Sequence, residues 1–169
     1  DPSTWVTSGS GWTGNWDANG SGTFTTSTLA GGDGGVPTDS NHWAVFDFGS
    51  AQADLKAMYF WNGNVINKAG QNIKEIDIYY ATSLVAAPPS GTAAVPADYN
   101  FVTTAGWTLL GSTGTLNQST GVVGESATDI INIAGAAGAR YIGWDIVDNY
   151  NTGGRTQFQE VAFVTAVPE

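Results

Sequence analysis

The chain has 169 residues, only 12% of them charged, with a net charge of −10 at neutral pH and no cysteine. That balance disfavours nucleic-acid backbones and anionic membranes as partners, and a chain without Cys holds no disulfide and no thiolate metal site. A 41% apolar share with 23 glycines describes one globular, turn-rich all-β domain over 1–169, its surface polar but sparsely charged.

Residues 1–41 are poor in aliphatics and rich in Gly, Ser and Thr. A Gly-rich segment loses much entropy on ordering. The segment is expected to wrap the domain as loops with one or two edge strands, held by Trp5, Trp12, Trp16 and Phe24, by a metal, or by a neighbouring subunit. Period-two patterning begins after it. "HWAVFDFG" (42–49) puts Ala44, Phe46 and Phe48 on one face, and "LKAMYFW" (55–61) is apolar on both faces, as a central strand should be. "IKEIDIYY" (73–80) points Ile76, Ile78 and Tyr80 inward and Glu75 and Asp77 outward. Residues 84–100, with Pro88, Pro89 and Pro96, read as an inserted loop. Shorter strands follow at 107–112 and 129–134; "RYIGWDIV" (140–147) aligns Ile142, Trp144 and Ile146, and "FQEVAFV" (158–164) closes the series. Short strands separated by Gly, Pro, Asn and Ser clusters predict an antiparallel β-sandwich or barrel. No apolar run reaches the ~18 residues of a membrane-spanning helix.

The motifs exclude more than they assign. "GSGWTG" (9–14) has the spacing of a dinucleotide-binding turn, but "NWDANGSG" after it cannot be the helix that such a turn must open. His42 is the sole histidine, so no zinc cluster forms, and no G-x-S-x-G accompanies it for a nucleophilic triad. Paired carboxylates for glycoside hydrolysis would stand about 5 to 9 Å apart in a cleft, and no acid here has a recognisable setting of that kind. The chain reads as a non-enzyme.

Calcium takes about six to eight oxygen ligands. "GGDGGVPTDS" (31–40) offers Asp33, Thr38, Asp39 and free carbonyls, and fits a solvated Gly-Asp turn equally well. Trp43, Trp107 and Trp144 fall in strand patterns and are expected in the core. Trp61 ends a strand and opens "WNGNVINKAGQN", a loop dense in amides. It either caps the sandwich or stacks on the C–H face of a sugar whose hydroxyls pair with the amides. Asn19 and Asn117 lie in N-x-S sequons.

In order, "WAVFDFGSAQADLKAMYFWN", "NIKEIDIYYATS", "WTLLGS", "ARYIGWDIVDNY" and "FQEVAFV" resemble the discoidin-like (coagulation-factor type C) domains of the galactose-binding jelly-roll class, over about 42–165. The resemblance implies an eight-stranded jelly roll with ligand loops at one end. It implies sugar-binding residues near His42; at Trp61, Asn62, Asn64 and Lys68; and at Asn149, Tyr150, Asn151 and Arg155. It also implies a structural calcium ion shared by the early Asp33 loop and Glu160 of the last strand. Trp61-Asn62 stands where sugar-binding members carry an Arg, and residues 1–40 do not align cleanly. The closing "AVPE" resembles the start of the Val-Pro-Glu-Pro sorting tail of bacterial exosortase substrates, and Asp1 in place of Met is read as the start of a processed chain. The expectation is a secreted or cell-surface bacterial protein with no membrane segment in its mature form. Its function is then non-catalytic binding of extracellular glycans. The alternative is a self-assembling subunit of an extracellular filament, sheath or matrix, with other copies of itself as partner.

Overall fold

The computed structural model describes residues 5–6, 25–26, 43–63, 70, 72–86, 100–120, 126–150 and 158–165. Its strands are β1 (Trp5–Val6), β2 (Thr25–Thr26), β3 (Trp43–Gln52), β4 (Ala57–Asn62), β5 (Ile73–Ala81), β6 (Thr108–Ser112), β7 (Asp129–Asn132), β8 (Ala139–Asn149) and β9 (Phe158–Val164). One sheet has the order β1-β9-β4-β7 and the other β2-β3-β8-β5-β6, and every pairing is antiparallel. The protein is an all-β sandwich of two antiparallel sheets. β3 to β9 fall where the alternation places strands, and β4, apolar on both faces, is interior to its sheet. Nine strands are described where the resemblance implied eight, and β1 and β2, outermost in their sheets, are the short edge strands expected of the N-terminal segment.

The core follows from the alternation. On the five-stranded sheet, Ala44 and Phe46 of β3, Ile142, Trp144 and Ile146 of β8, and Ile76 and Ile78 of β5 face inward and are buried; Phe48 and Tyr80 pack at the margin. Met58 and Phe60 of β4 and Val161 and Phe163 of β9 meet them from the other sheet. Trp144 is the hub. Phe46, Phe60 and Phe158 approach its ring edge-on at 4.6, 5.7 and 5.2 Å, the arrangement that aromatic quadrupoles favour.

Trp43 is buried, as expected, and Trp107 is partly buried, but neither joins the cluster around Trp144. With Val45, Tyr79, Phe101 and Tyr141 they form a second aromatic cluster. The strand register places it on the outer face of the five-stranded sheet, where Val45 and Tyr79 flank Gly143. The segment 100–107 roofs this face. The Asn100 side chain accepts the backbone N–H groups of Val102 and Thr103 at 2.9 and 3.0 Å, starting the turn. Phe101 then stacks on Tyr79 at 4.9 Å and 13°.

β3 and β8 are tied at the opposite end of their ladder. Arg140 donates two hydrogen bonds to Asp47, at 2.8 and 2.9 Å, and lies 4.9 Å from the Tyr141 ring centroid. Gly49, at φ +77, turns its N–H onto the same carboxylate at 2.8 Å. The Arg140 hydrogen bonds, then that of Gly49, hold the Asp47 carboxyl below its ordinary value. Both side chains are more than one-third exposed, so the pair is a modest, salt-sensitive tie.

Candidate functional site

Five segments converge at one end of the sandwich: the end of β4, the start of β5, residues 116–119, the end of β8 and the start of β9. Two buried asparagines bind them together. Asn62 donates from its amide to the carbonyl oxygens of Ile73 at 2.7 Å and Asn117 at 2.9 Å, and accepts from the Ile73 N–H at 2.9 Å. It thereby meets both backbone groups of Ile73, as a neighbouring strand would. Asn72 donates to the Gly63 carbonyl and accepts from the Ser119 N–H, both at 2.8 Å. The Asn72 carbonyl accepts the Tyr150 N–H at 3.1 Å, and the Tyr150 hydroxyl donates to the Leu116 carbonyl.

The surrounding polar groups extend this clamp. Thr128 accepts the Asn62 N–H at 3.2 Å and donates its hydroxyl to Phe60 at 3.0 Å. Asn117 donates its side-chain amide to Asp129 at 2.8 Å. Lys74 pairs with Asp148 at 2.6 Å. The Asp148 carboxylate raises the Lys74 ammonium above its ordinary value, by hydrogen bond first and charge second.

Of the expected sugar contacts, Trp61, Asn62, Asn149 and Tyr150 belong to this end. The reading of Asn62 as a direct contact gives way to a structural one. It is fully buried, and its amide hydrogens and oxygen are spent on backbone. Asn149 is also buried, and Tyr150 is half-buried. Trp61 alternates with inward-facing Phe60 and Asn62 and so lies on the outer face of the four-stranded sheet, partly exposed. His42, Asn64, Lys68, Asn151 and Arg155 lie outside the described residues, as do the expected calcium ligands Asp33, Thr38 and Asp39.

Glu160, the remaining expected calcium ligand, is the β9 register partner of Trp61. Among the described residues no group of three or more acids and histidines could hold a metal ion. A register shift in β9 separates the Trp61–Glu160 pair from the Asn62–Phe158 pair and leaves Gln159 between them. Such bulges re-aim neighbouring side chains.

Partial burial raises the Glu160 carboxyl above its ordinary 4.5. A raised carboxyl binds its proton more tightly in the folded state. Stability therefore falls as pH rises from about 4.5 through the raised value. The unliganded Glu160→Gln protein is expected to match or exceed wild-type stability at pH 7 by about 0.5 kcal/mol or less. The difference should close below about pH 4, which urea unfolding at the two pH values measures.

The sequence reading missed Tyr59. Its signal lies in "MYFW", where alternation puts Tyr59 and Trp61 on one face; their ring centroids are 6.3 Å apart at 30°. It also missed Asn72 and Thr128, which carry no local mark of burial.

The fold and these contacts define an antiparallel β-sandwich with an amide-clamped end and partly exposed aromatic residues beside it. No family model matches the chain, and no curated protein matches it. Among solved structures it is similar to a SusE-like protein, with 20% identity and a TM-score of 0.43. The likeness covers 72% of this chain and 45% of that one, so this chain spans less than half of that protein's length.

Proposed function

We propose that the protein is a non-catalytic, secreted glycan-binding module. The observation that carries this reading is the placing of Trp61, a partly exposed aromatic on a rigid strand, beside the carboxylate of Glu160. An aromatic face takes the C–H face of a pyranose, and an adjacent oxygen acceptor takes its hydroxyl hydrogens. Asn62, Asn72 and Thr128 hold the strand ends, so the backbone that carries the ring is set before the ligand arrives, which lowers the ordering cost of binding. The net charge of −10 favours uncharged glycans.

Affinity electrophoresis through gels containing neutral polysaccharides tests this. Retardation of the wild type by at least one of them, and its loss in Trp61→Ala with an unchanged melting temperature, is the expected result. Unaltered mobility of the wild type in every gel would overturn the reading.

Self-association is a second reading, favoured by one observation. β6 is an outermost strand among the described residues and leaves Leu109 55% exposed. Exposed apolar edge strands are templates for pairing with another chain. Sedimentation velocity of concentrated protein, with calcium and after chelation, tests it: concentration-dependent growth supports assembly, and a monomer throughout excludes it.

A further inference from the structure

Resting on the glycan reading, we infer that the saccharide lies along the outer face of the four-stranded sheet, on a strip made by Trp61, Tyr59 and Ile130 with Glu160 at its margin. The ligand is then the interior of an uncharged polysaccharide chain, rather than a chain end or a free monosaccharide.

The strip follows from the register. In β4, Met58, Phe60 and Asn62 point inward and are fully buried, while Tyr59 and Trp61 point outward and are partly exposed. Residues two apart on a strand stand about 6.6 Å apart, and these rings keep that spacing at 6.3 Å, tilted by only 30°. The two rings follow one another along the strand. Ile130 of β7 is the partner of Tyr59 on the same face and is 61% exposed, and Glu160 of β9 is the partner of Trp61. A row of aromatic faces suits successive sugars of an extended chain, each presenting a C–H face. A monosaccharide covers one ring and leaves the other unused.

The end of the sandwich offers less. There, the side chains of Asn62 and Asn72 and the Tyr150 hydroxyl are committed to backbone partners. Glu160, in contrast, is exposed, with a partly desolvated carboxylate. Sugar hydroxyls can donate to such an acceptor. The same carboxylate, in a chain of net charge −10, opposes an acidic polysaccharide.

The size of the strip argues against a protein occupant. Among the described residues of the same face, Ala57, Ala162 and Val164 are buried and Asn132 beside Ala57 is exposed, so the accessible apolar part is confined to the end near Trp61, Glu160 and Ile130. A stable protein interface needs about 800 Å² from each partner, far more than two partly exposed rings and an isoleucine supply.

The test uses the full chain and a neutral polysaccharide that retards it, with that polymer's monosaccharide and a ladder of its oligosaccharides as competitors. Affinity is expected to rise with chain length, and the monosaccharide to compete poorly. Tyr59→Ala should weaken binding about tenfold, as the loss of a central aromatic anchor does, whereas Tyr59→Phe should retain it. Glu160→Gln should weaken binding without a change in melting temperature. Wild-type affinity in both Tyr59→Ala and Glu160→Gln, while Trp61→Ala is inactive, would overturn the strip and leave the glycan reading standing. Effective competition by the monosaccharide would do the same. A calcium-induced rise in melting temperature that Glu160→Gln abolishes would assign Glu160 to a cation and overturn its role here. Absence of binding to any polysaccharide by the wild type would remove both readings together.

Discussion

Asn62→Ala is expected to lower stability by about 3 kcal/mol or more, since each buried hydrogen-bonding group left unpaired costs about 1–3 kcal/mol. Three such groups lose a partner at once, the N–H and the carbonyl of Ile73 and the N–H of Gly63, and the part-buried carbonyl of Asn117 loses one as well. The Ala side chain also leaves the space of an amide at a fully buried position. Urea unfolding at pH 7 measures the loss. Asn62→Asp separates hydrogen bonding from shape. A carboxylate can still accept from the Ile73 N–H, but its second oxygen would face the two carbonyls that the amide now serves. Burial and those carbonyls would push the introduced carboxyl upward. Its folded-state value would then exceed its unfolded one, and the variant should regain stability as pH falls through that interval. A loss in Asn62→Asp that is independent of pH, or an Asn62→Ala protein as stable as the wild type, would show that the clamp does not hold this end together.

What the sequence disclosed, and what it concealed, follows from how far each interaction reaches along the chain. The inward faces of β3, β5 and β8 are legible because a half-buried strand alternates, and Ala44, Ile78 and Trp144 sit on adjacent strands in register. The second aromatic cluster is not. Phe101 covers Gly143 from 42 positions away, and neither residue's neighbourhood marks the contact. Trp43 therefore reads correctly as buried, but not as part of a cluster separate from the one around Trp144, on a face where Phe101 and Trp107 also pack.

The candidate site was legible at the level of its region. A strand ending in "WNG" and a loop opening with "DNY" do meet at one end. The roles within it were not. Asn is both a common loop residue and a good buried bridge, and its sequence context does not distinguish Asn62, which clamps backbone, from an asparagine that faces a ligand. Glu160 looked like a calcium ligand by resemblance; its cross-strand pairing with Trp61 is what suggests a different task.

Gly143→Ala is the second substitution expected to have a large effect, for a steric reason. A β-carbon at position 143 would lie 2.3 Å from Phe101 Cε1, and 3.0 Å from both Phe101 Cδ1 and Trp107 Cζ3. Phe101 cannot simply rotate aside, because it is stacked on Tyr79 and meets Trp107 edge-on at 4.9 Å. Either the segment 100–107 lifts or β8 shifts against β3 and β5, and forced overpacking of this kind costs about 1–3 kcal/mol. The inner core around Trp144 lies on the other side of the sheet, so it should survive while the outer cluster loosens. The expected signature is a lower melting temperature with altered near-ultraviolet circular dichroism from the displaced Trp107 and Tyr79. Phe101→Ala alone should cost about 3–5 kcal/mol, the range for removing a buried Phe. In the Phe101→Ala background the 2.3 Å contact no longer exists, so Gly143→Ala should there cost much less than in the wild type. Equal costs in both backgrounds would mean that Gly143 is required by the β8 backbone itself. A cost confined to the Phe101 background would identify the glycine as the socket that holds the 100–107 strap closed.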